Sequence, residues 1–97
     1  MPAYWIARGR IDDAVEYKKY ADQVPGIVAA HGGKVLARGG RFKVLEGTDR
    51  FARFVVIEFP SLEQAVACHD SPAYRAAAAY RKAKGVGEVE LAIVEGL

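Results

Sequence analysis

The sequence predicts a single α+β domain, with a four-stranded antiparallel sheet in the order β-α-β-β-α-β and its helices on one face. Three observations carry this. The chain of 97 residues is the length of one domain, residues 1–97. Segments rich in β-branched and aromatic residues alternate with stretches of helical periodicity. Glycine, proline and capping signals fall between them.

Ala3 to Arg10, with Tyr4, Trp5 and Ile6, reads as the first strand. Asp12-Asp13 then opens a helix, because Asp13 with Glu16 three residues on is a capping-box pattern and early carboxylates suit the positive helix end. Tyr17, Tyr20, Ala21, Val24, Ile27, Val28 and His31 recur at helical spacing and give it one apolar stripe. Pro25 interrupts that stripe, so a kink or a second short helix is expected. Gly32-Gly33 ends it. Lys34 to Arg38 is the second strand, Gly39-Gly40 suggests a bulge, and Arg41 to Leu45 is expected to continue the strand to a turn at Glu46-Gly47-Thr48-Asp49. Arg53 to Phe59 is the third strand, stopped by Pro60. Ser61 caps a short helix with Gln64 at the capping-box position, and Ser71-Pro72 starts another that runs to about Lys84. Arg81, Lys82 and Lys84 then sit at its negative end. Gly85 and Gly87 break it, and Glu88 to Glu95 is the last strand. Right-handed crossovers place the helices on one face, the split βαβ arrangement of ferredoxin-like sheets.

The other face then needs a cover. In the third strand Val55, Ile57 and Phe59 point one way, and Phe54, Val56 and Glu58 the other. In the last strand Val89, Leu91 and Ile93 share one side, with Ala92 and Val94 on the other. A sheet wetted on one side alternates more cleanly than this. The simplest cover is the same face of a second copy of the chain, giving a symmetric homodimer.

Composition narrows the function. Apolar residues at 52% and charged residues at 27% exclude wholesale disorder. Fourteen Lys and Arg against 12 Asp and Glu leave +2, too balanced for a protein built to grip nucleic acid. Lys34, Arg38, Arg41, Lys43, Arg50 and Arg53 form a basic segment, read as the charged defence of a sheet edge rather than an RNA ribbon. No targeting signal and no membrane-length apolar run is visible, and with one cysteine, Cys68, the expected compartment is the cytoplasm. There is no Gly-x-Gly-x-x-Gly, phosphate-loop, Gly-x-Ser-x-Gly or Cys-x-x-Cys motif, so no cofactor is called for. Nothing in the spacing of His31, His69 and Glu58 suggests a metal site. Cys68 and His69 are adjacent on a helix and point about 100° apart, which is wrong for a nucleophile and its base.

Two candidate sites emerge. On the face away from the helices, strand alternation brings Glu58 into line with Phe54 and Val56, and Tyr4, Arg8 and Arg38 are its expected companions. Two arginines, a carboxylate and a phenol in an apolar cleft would bind a small anion, with Glu58 available as acid or base, or would form a structural ion pair. His31 is the second: it either bonds the last carbonyls of its helix or serves as a general base near neutral pH.

Ala3-Tyr4-Trp5-Ile6, His31-Gly32-Gly33, Leu36-Ala37-Arg38-Gly39-Gly40, Leu45-Glu46-Gly47, Val56-Ile57-Glu58-Phe59-Pro60, Ser71-Pro72-Ala73-Tyr74 and Val94-Glu95-Gly96 occur in order along the whole chain. This set resembles the bacterial domain-of-unknown-function family 1330, in the dimeric α+β barrel superfamily. Cys68-His69-Asp70 departs from that pattern, which has a bulkier aromatic–polar pair there. The resemblance implies a ferredoxin-like subunit whose sheet packs on a partner's. The superfamily includes cofactor-free monooxygenases, haem-degrading enzymes, isomerases and proteins without known reaction, and the family itself implies no established one. The expected function is binding of a small acidic or aromatic molecule beside the sheet. The alternatives are a cofactor-independent monooxygenase- or isomerase-like enzyme using His31 or Glu58, and a structural dimer without a pocket.

Overall fold

Asp13, Ser61 and Ser71 open helices with their own side chains. An Asp13 carboxylate oxygen accepts from the Val15 and Glu16 amides at 3.1 Å each. Ser61 Oγ accepts from the Gln64 amide at 3.1 Å, and Ser71 Oγ from the Tyr74 amide at 3.2 Å. Each satisfies donors that the first helical turn leaves free. In the computed structural model, which describes residues 1–97, the elements are β1 (Ala3–Ile11), α1 (Ala14–Ala21), α2 (Val24–Ala30), β2 (Lys34–Arg38), β3 (Arg53–Phe59), α3 (Leu62–Asp70), α4 (Pro72–Lys82) and β4 (Gly87–Glu95). Pro25 lies in the first turn of α2, where a missing N–H costs nothing, so it starts a new helix instead of kinking the old one. Gly32 follows α2 with φ 77°, a left-handed residue that closes the helix.

The four strands pair antiparallel in the order β2-β3-β1-β4. Ala3, Trp5 and Ala7 of β1 stand opposite Phe59, Ile57 and Val55 of β3 and are buried under the helices. Val89, Leu91 and Ile93 of β4 pack against the same core. Trp5 is its centre, with the Phe59 ring stacked at 6.0 Å and the Tyr74 ring edge-on at 5.1 Å. The molecule is a slab of 34 × 33 × 18 Å, thin enough for one sheet and one helix layer only.

Two expectations fail here. The bulge lies within β2, between Val35 and Ala37, and not at Gly39-Gly40. Arg41 to Leu45 does not extend the strand. The partner it would need is drawn elsewhere: Ala52 donates its amide to the Gly9 carbonyl at 3.0 Å, and Phe51 is buried between the Arg8 and Arg50 guanidiniums, each 4.6 Å from its ring centre.

Arg81 also departs from expectation. It turns into the helix layer, 8% exposed, instead of reaching solvent at the end of α4. Its Nη2 donates to Tyr74 Oη at 3.2 Å, its Cζ lies 5.0 Å from the Tyr20 ring centre, and the two phenol oxygens are 2.9 Å apart. Burial pushes the Tyr20 phenol far above its ordinary pKa, so Tyr20 stays neutral and the cation has no carboxylate near it. Tyr74→Phe removes the oxygen that Tyr20 and Arg81 share. The expected loss is about 1–3 kcal/mol of stability, read from the urea midpoint. An unchanged midpoint would show that the network contributes nothing.

Candidate functional site

The helix-free face of the sheet carries an apolar stripe between two polar ends. Ile6 stands between Val56 of β3 and Ala92 of β4, and Arg8 between Phe54 and Glu90. Ile6 is 48% exposed and Val94 52%. The ring of Phe42, from the segment after β2, lies 5.0 Å from Phe54. A shallow depression of about 360 Å³ runs over Ile6, Arg8, Phe54 and Ala92.

At one end of this face Tyr4 and Glu58 are directly opposed, and Lys34 stands on the far side of Glu58. The Tyr4 hydroxyl donates to Glu58 Oε1 at 3.2 Å. Burial, together with that carboxylate, holds the Tyr4 phenol above its ordinary pKa. At the other end the charges pair off. Arg8 Nη2 is 2.7 Å from Glu90 Oε1, Arg10 Nη1 is 3.0 Å from Glu88, and Arg50 Nε is 3.2 Å from Glu88. The Arg50 hydrogen bond lowers the Glu88 carboxyl below its ordinary pKa, against the opposing effect of burial.

Of the residues the sequence brings together, Tyr4, Arg8 and Glu58 therefore share a face, but Arg38 does not join them. Leu36 is the extra residue of the β2 bulge, and beyond it the strand's parity reverses. Arg38 falls opposite Val55 and points to the helix side. Arg8, which does share the face, has its charge met by Glu90. His31 is the C-cap of α2, with Nδ1 2.9 Å from the Ile27 carbonyl oxygen. That is the capping geometry of the two alternatives, and it occupies one ring nitrogen.

Arg38 instead lines a small hollow between β1, β3 and the helices, with Trp5, Tyr20, Val24, Ile57 and Arg53. No acidic residue lines it. The sequence does not mark Arg53 as a site residue, because at the start of a strand it reads as one more edge charge. A third hollow, of about 310 Å³, opens between α3 and β4 and is lined by Leu62, Val66, His69, Leu91, Ala92 and Ile93. The His69 ring packs against Trp5 and Tyr74, with centres at 5.8 and 5.4 Å, and its Nδ1 is 3.0 Å from Asp70 Oδ1. No three His, Cys, Asp or Glu side chains stand together as metal ligands.

These features define a two-layer, ferredoxin-like α+β domain with an uncovered apolar sheet face and a cationic hollow under its helices. Residues 2–97 match the family described as "Domain of unknown function (DUF1330)", and the chain belongs to that family. No curated protein matches it. Among solved structures it is similar to the RPA0582 protein of unknown function from Rhodopseudomonas palustris, at 23% identity and TM-score 0.79, over 99% of this chain and 82% of that one. It is similar to a dimeric ferredoxin-like protein of unknown function from Jannaschia sp. CCS1, at 12% identity and TM-score 0.70, over 99% and 100%. It is also similar to SnoaB, a cofactor-independent oxygenase from Streptomyces nogalater, at 13% identity and TM-score 0.66, over 99% and 93%. At these identities the likeness establishes the shared fold. No helix is long and apolar enough to cross a membrane.

Cys68 is fully buried on α3, and burial pushes its thiol from 9.0 up to about 11. Because the folded value is the higher one, this thiol's stabilising effect is complete below its unfolded value and fades as pH rises towards 11. Native protein at mildly alkaline pH should therefore react with Ellman's reagent only slowly, and at once on unfolding in urea. Rapid reaction of the folded protein would show that Cys68 is exposed.

Proposed function

We propose that the chain works as a homodimer, its two sheets face to face, and that each copy binds a small acidic or aromatic molecule beside its sheet. The observation that carries the binding reading is the helix-side hollow, where the aromatic surfaces of Trp5 and Tyr20 meet Arg38 with no acid beside it. A structural dimer without a pocket gives no reason for unmatched charge at that position.

The pairing rests on area and pattern. The molecule exposes 6165 Å², whereas a folded monomer of this mass exposes about 5,400 Å². The excess, about 750 Å², approaches what one partner contributes to a standard interface, about 800 Å². Ile6, Phe54, Val56, Ala92 and Val94 form an apolar centre, and the Tyr4–Glu58 and Arg8–Glu90 pairs flank it as a polar rim. A second copy is the occupant that matches an apolar stripe of this kind on a thin slab. The similar Jannaschia protein, described as dimeric, agrees with this.

The enzyme reading has less support. His31 commits Nδ1 to the Ile27 carbonyl, and Glu58 accepts the Tyr4 hydroxyl, so neither stands free beside the hollow that holds Arg38. A single buried cysteine suits a reducing compartment such as the cytoplasm.

Light scattering should give twice the 10.5 kDa chain mass. Ile6→Lys, at the middle of the apolar stripe, should give the single-chain mass and a lower melting temperature. A wild-type mass of one chain at micromolar concentration would remove the dimer. A thermal-shift screen in which no small acid or aromatic compound stabilises the protein would remove the binding reading.

A further inference from the structure

Three of the eight arginines of this chain are ion-paired, and two of the others share the helix-side hollow. Arg8, Arg10 and Arg50 each lie within ion-pair distance of a carboxylate. Arg38 and Arg53, which line the helix-side hollow together, pair with none. They are diagonal neighbours on the helix face, since Arg38 stands opposite Val55, two residues along β3 from Arg53. The Nε of Arg53 is enclosed and has no hydrogen-bond partner. A guanidinium in that position lacks an acceptor, and two cations sharing a small apolar hollow repel one another. An anion would relieve both.

The surroundings hold Arg53 in place. Gly39 takes φ 65° directly after β2 and donates its amide to the Phe54 carbonyl at 3.2 Å. A Cβ at Gly39 would stand 2.8 Å from Arg53 Nη1, so the glycine leaves room for the guanidinium. On its other side the Arg53 Cζ lies 5.8 Å from the Tyr17 ring centre. Size and shape then select the ligand group. The hollow measures about 30 Å³, room for about two water-sized positions and too little for an aromatic ring. A planar carboxylate fits that space and matches the guanidinium fork.

Resting on the reading that a small molecule binds beside the sheet, we propose that Arg53 and Arg38 clamp the carboxylate head of a small organic acid. The Arg53 Nε–H donates to it from the enclosed side. Arg38, which is exposed, closes over it from the solvent side. The body of the acid lies outside the hollow, past Arg38.

The test follows the arginine side-chain N–H signals by NMR during titration with sodium acetate, with sodium chloride and acetamide as controls. Acetate should move the Arg53 Nε–H signal in a saturable way, whereas chloride and acetamide should not. Arg53→Gln should weaken acetate binding by about tenfold or more, and Arg38→Gln by several-fold. Arg75→Gln, an exposed change on α4, should have no effect. Arg53→Lys keeps the charge but removes the fork, so it should also lose acetate affinity while its spectrum remains that of a folded protein. An Arg53 signal that acetate leaves in place, or that chloride moves equally, overturns the clamp. If a thermal-shift screen still finds a small acid or aromatic compound that stabilises the protein in that case, the binding reading survives without the clamp. If it does not, both fail.

Discussion

The sheet has two apolar faces and only one layer of helices, and the rest of the structure follows from that. On the helix side Trp5, Ile57 and Phe59 are closed off from water. On the other side Ile6 and Val94 remain about half exposed. Fully burying a side chain of that size is worth about 1.5–3 kcal/mol, which is a large share of the stability of a small domain. Only 18 of the 97 residues are buried in the single chain. An apolar face left in water would forfeit stability that a chain of this length can hardly spare.

The charged residues are arranged around the same constraint. Where the sheet is open, the arginines reach carboxylates on neighbouring strands, so the rim of the apolar stripe is neutral in pairs. Such exposed pairs add little stability, but they limit which surfaces can be laid across the stripe. Under the helices the pattern reverses. Arg81 is held by the Tyr74 hydroxyl and the face of the Tyr20 ring, and Arg38 and Arg53 meet no acid. The interlayer therefore carries positive charge that the chain itself does not neutralise, which is the electrostatic condition for taking up an anion.

Much of the fold was legible in the residues. Alternation in β1, β3 and β4 gave the correct faces, and Asp13, Ser61 and Ser71 marked helix starts that the structure reproduces with hydrogen-bonded caps. The site was less legible, for physical reasons. A single extra residue, Leu36, reverses the parity of β2, and no local signal separates a bulge there from one at Gly39-Gly40. That one residue moves Arg38 from the Glu58 face to the helix side. Arg81 sits where helix-end cations usually reach water, and its inward turn depends on Tyr20 and Tyr74, residues distant in sequence. Arg41 to Leu45 has strand-forming residues but no free strand to pair with, because Ala52 and Phe51 are held against β1. Pairing partners, unlike propensity, are a tertiary property.

The proposed homodimer places the helix-free face of one sheet against the same face of another. The most direct measurement is an isotope-filtered NOE experiment on a mixture of labelled and unlabelled chains, read at the methyl groups of Ile6, Val56 and Val94. Intermolecular contacts from these methyls are expected. Methyls on that face that show only intramolecular contacts and contacts to water would contradict it.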